Sequence, residues 1–184
     1  MKTLKTIWNI ITTVLVALVV VLAVLLVGVR VVGLTPYVVL SGSMEPTYHT
    51  GSLIYVKKVD PFTIEPGTPI TFMMSEDVIA THRVVGVVPD EEDSTVIRFR
   101  TKGDANDAVD GSLVHYKNVI GTPVFSIPYL GYISDYITNP PGMYIGFTVL
   151  GIIVLMLFAP DLLRAADKAD KKAEEQKKGA HEAK

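Results

Sequence analysis

Three polar islands in this chain carry side chains whose types and spacing suit a reaction. Ser41-Gly42-Ser43-Met44-Glu45-Pro46 comes first, Thr81-His82-Arg83 second, and Lys102-Gly103-Asp104-Ala105-Asn106-Asp107-Ala108-Val109-Asp110 third. A serine hydroxyl is a poor nucleophile until a base takes its proton, and an imidazole base works best when a carboxylate holds its tautomer and stabilises its charged form. In this order the islands offer a nucleophile, a base and a base-orienter, the parts of a serine hydrolase.

Each island also has a plain structural meaning. Ser-Gly-Ser and Gly-Asp-Ala-Asn-Asp are turn-forming sequences, and His82, inside the apolar stretch 78–88, reads as a histidine on the solvent face of a strand. His115 has the same reading and His49 falls in a loop, so spacing alone does not choose among the three. Lys102 is a competing base for a serine–lysine dyad, but it would have to lose its charge, and the carboxylates that follow it favour the charged form. His49, His82, His115 and His181 show no metal-ligand spacing, and no cysteine is present. Cysteine-ligated metal and disulfides are therefore excluded.

The elements that must position these residues are of two kinds. With 49% hydrophobic residues and a mean hydropathy of +0.38, the 184-residue chain is too apolar for a purely soluble domain of this size. Residues 10–29 form an apolar run of 20 residues behind Lys2 and Lys5 and ahead of Arg30, long enough as a helix to cross the roughly 30 Å hydrocarbon core. It is longer than the roughly 7–15 apolar residues of a cleavable signal peptide, which favours a retained anchor. Residues 143–159 make a second run of 17, opened by Asn139-Pro140-Pro141-Gly142 and closed by Pro160-Asp161. This run is also expected to span the membrane, because it has no polar face to leave in water. Basic residues before the first run and after the second put both termini in the cytoplasm and the intervening residues outside.

Residues 52–58, 68–74, 78–88, 95–102 and 118–125 are rich in β-branched and aromatic residues and are separated by Pro, Gly and Asp clusters. They predict short strands, and Ile97 and Phe99 alternate with Arg98, Arg100 and Lys102 as a half-buried strand should. The expected fold is a mainly β domain, a small curved antiparallel sheet or barrel, with two transmembrane helices. The expected division is an anchor at 1–33, a β-rich domain at 34–142, a second span at 143–159 and a charged cytoplasmic tail at 160–184. The tail is read as disordered or as a short helix without an apolar face. Residues 34–142 hold seven basic and thirteen acidic side chains, a balance of −6, which argues against a nucleic-acid-binding face.

Taken together and between these membrane runs, the islands resemble the type I signal peptidases, in particular the branch found in archaea, in the endoplasmic reticulum and in some Gram-positive bacteria. The resemblance covers about residues 36–125. It implies that Ser43 is the nucleophile, that Ser41 and the Ser43 backbone N–H form the oxyanion hole, and that His82 replaces the lysine base of the more familiar bacterial branch. Asp104 and Asp110 match the branch's two acidic positions. Asp110 is the better match to the triad acid, and the less regular Asp107 between them leaves open which carboxylate reaches His82. The implied activity is removal of signal peptides from exported preproteins by acyl-enzyme chemistry, with no cofactor, and with signal peptides and the bilayer as partners. The rival reading is a non-catalytic, membrane-anchored β-domain that scaffolds a secreted or envelope protein, in which the islands are only turns.

Overall fold

The computed structural model describes residues 2–90, 93 and 95–182; Glu91 and Glu92, in the polar cluster that follows the stretch 78–88, lie outside the described residues. The chain forms two compact units, one of residues 23–140 and one of residues 1–22 with 141–184. The first helix, α1, runs over Lys2–Leu26. Within it Thr6–Leu26, 21 residues of mean hydropathy 2.9, is long and apolar enough to cross a membrane, and Ile10, Val14 and Leu18 are more than half exposed along it.

The β unit is one seven-stranded antiparallel sheet in the order β1-β2-β7-β3-β4-β5-β6. Its strands are β1 Leu34–Val38, β2 Leu53–Lys57, β3 Pro69–Ser75, β4 Val78–Pro89, β5 Ile97–Lys102, β6 Val114–His115 and β7 Val119–Ile127. Five of them match the strands expected from β-branched and aromatic runs. β1, whose apolar stretch leads into the Ser41 island, and the two-residue β6 were not among those five. Register shifts in β2, β3 and β4 are places where a strand bends and twists more strongly, so the sheet is curved. Ile64, Ile70, Phe72, Val84, Phe99 and Val114 form its buried cluster.

Two helices differ from the sequence reading. Leu130–Thr138 forms a nine-residue helix, α2, where no helix was expected, because Pro128 and Gly131 mask a pattern only two turns long. Gly131 lies so close to the β1–β2 loop that a Cβ on it would stand 2.6 Å from the Ser52 carbonyl oxygen. The last helix, α3, runs over Gly142–Glu182 and continues past Pro160. Its Ala-, Lys- and Glu-rich tail consists of strong helix formers. The apolar stretch Gly142–Phe158, bent by 90° from Leu130–Thr138, is at the short end of the roughly 17–25 residues that a span needs, and the stretch within α1 is the longer and more apolar of the two.

β7 joins the two halves of the sheet, pairing with β2 through residues 122–127 and with β3 at Gly121 and Val119. At the crossover a Cβ on Gly121 would stand 2.1 Å from the Lys57 carbonyl oxygen, which no side chain can tolerate without parting the strands. Gly121→Ala is therefore expected to destabilise the protein by about 1–3 kcal/mol, the usual cost of forcing atoms into a packed site. Chemical denaturation beside the wild type checks this, and an unchanged midpoint would show that the crossover is not constrained.

Candidate active site

The β1–β2 register, from Leu34 opposite Lys57 to Val38 opposite Leu53, makes residues 39–52 the loop of a hairpin. Backbone bonds from Val39 N–H to the Ser52 carbonyl and from Gly51 N–H to the Val39 carbonyl close its neck. Gly51 has φ of +81°, a left-handed conformation that glycine adopts without strain. Ser41 and Ser43 sit in the bend and turn that open this loop, with their hydroxyl oxygens 3.3 Å apart.

β4 supplies the histidine. Its burial alternates, so that Ala80, His82, Val84 and Gly86 share one phase, and that phase faces the core rather than solvent. His82 is only 8% exposed, with its ring edge-on to Phe72 at 6.2 Å. A buried imidazole needs partners for both nitrogens, and both have one. Nε2 lies 3.2 Å from Ser43 Oγ and Nδ1 lies 2.6 Å from Asp110 Oδ2. The same Asp110 oxygen accepts the Thr101 hydroxyl at 2.6 Å, and the Asp110 N–H donates to the Thr101 carbonyl at 2.8 Å. Hydroxyl, imidazole and carboxylate thus stand in line, an arrangement in which the ring can draw a proton from the serine while the acid stabilises the resulting charge.

The acidic island is carried by the β5–β6 loop. Its Ala105 N–H donates to the Ser43 carbonyl at 2.9 Å, and Gly103 allows the approach, since a Cβ there would stand 2.6 Å from the same oxygen. Asp104 turns away from His82. It receives Arg83 Nε on Oδ1 at 2.8 Å and Arg83 Nη2 on Oδ2 at 2.6 Å, with the Thr47 hydroxyl on Oδ2 at 2.5 Å. Arg83 Nη1 donates further to the Gly67 carbonyl. This two-pronged pair holds the Asp104 carboxyl below its usual range, and Asp104 in turn raises Arg83. His49 bonds Glu45 at 2.5 Å, and His115 accepts the Lys117 N–H. Among the described residues, no three His, Cys, Asp or Glu side chains converge as metal ligands would.

A family model described as signal peptidase, peptidase S26, matches residues 9–124, which include Ser41, Ser43, His82, Asp104 and Asp110. The chain belongs to this peptidase family. It is 38% identical over 124 residues to signal peptidase I W of Bacillus subtilis, covering 63% of this chain and 64% of the relative. It is 34% identical over 128 residues to the signal peptidase complex catalytic subunit SEC11C of Homo sapiens, covering 65% and 66%. The match thus spans just under two thirds of these relatives' own lengths.

Within the S26 region, the sequence reading did not find Thr101 or the Arg83–Asp104–Thr47 cluster. A signal for Thr101 was available: Ile97 and Phe99 set the inward phase of β5, and Thr101 continues it as a hydroxyl at a core position. The Arg83 cluster left no such signal, because its three members lie on separate segments.

The Arg83–Asp104 pair has a definite pH signature. The folded chain holds the Asp104 proton less tightly than the unfolded chain does, whose carboxyl titrates near 3.8. The pair's contribution is therefore complete above that value and is lost as pH falls through the lower folded value. Asp104→Asn should melt below the wild type at neutral pH, by the equivalent of about 1–3 kcal/mol for lost charge-assisted bonds. The gap should narrow as pH drops below about 4. Melting curves of both proteins from neutral to acid pH check this, and a gap that does not depend on pH would show that the ion pair is not its source.

Proposed function

We propose that the chain is a membrane-bound serine endopeptidase that removes N-terminal signal peptides from exported preproteins. The observation that carries this reading is the Ser43–His82–Asp110 line, which opens on a cleft of about 540 Å³. Tyr37–Leu40 forms one wall of that cleft and Met74 with Asp77–His82 the other. β1 is an edge strand of the sheet. β4 pairs with β5 only from Arg83 onward, so residues 78–82 have a free edge as well. An extended peptide can add to such edges through main-chain bonds, with alternate side chains entering pockets. Met44, Ile54, Ala80 and Tyr48 along the cleft suit small apolar substrate residues.

In this reading Ser43 Oγ attacks the scissile carbonyl as its proton passes to His82 Nε2. Asp110, polarised by Thr101, stabilises the imidazolium. None of the described hydrogen bonds uses the Ser43 N–H, so it and the Ser41 hydroxyl are available to the oxyanion. The C–N bond then breaks, and the leaving amine takes the proton from Nε2. Water next attacks the ester, giving its proton to His82; the acyl C–Oγ bond breaks, Ser43 Oγ takes the proton back from Nε2, and the product carboxylate leaves. Asp104 acts at one remove, by locking the acid loop to Arg83. α1 and the apolar part of α3 are the two spans, both termini lie in the cytoplasm, and the β unit works on the opposite side. The relatives named as complex subunits make partner subunits a question for the purified protein.

The purified, detergent-solubilised protein should cut a preprotein at one bond, identified by sequencing the new N-terminus. Ser43→Ala should yield no product with an unchanged melting temperature, and Asp110→Asn should stay folded yet slow by about 10⁴. Near-normal processing by Ser43→Ala would end the hydrolase reading, while a folded, inactive Asp104→Asn beside an active Asp110→Asn would exchange the two acids. Separately, protease added outside intact spheroplasts should cut the loop around Asp90 and Asp93 and spare the tail beyond residue 159, since exposed polar loops are the preferred cleavage sites. A protected loop with a cleaved tail would invert the topology.

A further inference from the structure

Glu45 and His49 have no part in the reaction described above, although Glu45 lies two residues from Ser43 and His49 is one of the histidines that spacing could not separate. Both oxygens of the Glu45 carboxylate are engaged. Oε2 lies 2.5 Å from His49 Nδ1 and Oε1 accepts the Thr50 N–H at 3.1 Å. The Glu45 main chain is held from the other direction, its N–H donating to the Gly42 carbonyl at 3.0 Å. The methylene of Glu45 packs over Gly42, 3.5 Å from where a Cβ would be. The side chain therefore bridges the turn that bears Ser43 to residues 49–50, at the neck where Gly51 and Ser52 bond Val39.

The pair is exposed, His49 at 61% and Glu45 at 38%, and exposed ion pairs contribute little to overall stability. What this one does is local. From its other side the turn is held by the Ala105 N–H on the Ser43 carbonyl, so Glu45 provides the opposing hold. We propose that Glu45, anchored by His49 and the Thr50 N–H, is a positioning residue that keeps Ser43 within 3.2 Å of His82 Nε2. The proposal rests on the reading of Ser43 as the attacking residue. A displacement of about 1 Å at a reacting atom can cost about 10² in rate, so a brace that adds little to folding can still decide turnover.

The test uses the full-length protein in detergent as wild type, Glu45→Ala, His49→Ala and the double variant. Three quantities are measured on each: kcat and KM with one peptide substrate, melting temperature, and amide exchange of the segment 41–48 by mass spectrometry. Each single variant should lower kcat by about 10–100-fold with KM nearly unchanged. The double variant should lose no more than Glu45→Ala alone, because His49 acts on the turn only through Glu45. Exchange in segment 41–48 should quicken while β2, β4 and the melting temperature stay as they were. Losses that multiply in the double variant, turnover close to wild type, or unchanged exchange in 41–48 would each overturn the proposal. A wild type that cleaves nothing would sink the peptidase reading instead, and the exchange comparison would still decide whether Glu45 braces the turn.

Discussion

The Ala105 N–H donates to the Ser43 carbonyl at 2.9 Å, and through that bond the two ends of the sheet meet. β1 and β6 are the outermost of seven strands, yet the loops next to them share a hydrogen bond. A flat sheet could not bring them together. The register shifts in β2, β3 and β4 add bend and twist to the usual right-handed coiling, and the curl closes the distance. Contact then requires that nothing project from residue 103, where any Cβ would strike the Ser43 oxygen. Serine, histidine and acid come from three segments, and their alignment depends on this closure.

The inner face of the sheet carries polar groups where a purely structural core would hold apolar ones. His82 shares its phase with Ala80 and Val84, and Thr101 shares its phase with Ile97 and Phe99. Burying such groups costs free energy unless each finds a partner. Here the chain His82–Asp110–Thr101 supplies those partners, and on the opposite face of the sheet the buried Thr71 hydroxyl meets that of Thr81 at 2.8 Å. Among the described residues no buried side-chain nitrogen or oxygen lacks one. Such satisfied networks confine side chains to one arrangement, which is what a reacting group in a cleft requires.

The cleft has a related origin. An edge strand offers unpaired N–H and C=O groups and is a liability in most proteins, since another chain can pair with it. This domain leaves two such edges facing one space, along β1 and along residues 78–82 of β4. The second arises only because β5 stops pairing at Arg83, where the chain leaves the sheet to form the loop of Asp104 and Asp110. The same departure frees the edge and delivers the acids, so the open edge and the acidic loop share one topological cause.

The sequence by itself determined the β-rich class of the domain, because β-branched residues between Pro, Gly and Asp clusters mark strands whatever their partners. It also determined the apolar helix near the N-terminus and the S-G-S-M-E-P island. It did not show α2, whose two turns are too short for a periodic pattern, nor the helical course of the tail. Spacing alone could not choose among His49, His82 and His115; the family resemblance pointed to His82 and favoured Asp110, but nothing in the sequence showed that Asp104 meets Arg83. Those choices depend on contacts between residues 39 and 28 positions apart for Ser43–His82 and His82–Asp110. Such contacts are set by strand register and sheet curvature, and a shift of one residue in β4 would turn His82 to the opposite face. Local composition carries no record of register between distant strands, and for that reason only the tertiary structure decided which side chains meet.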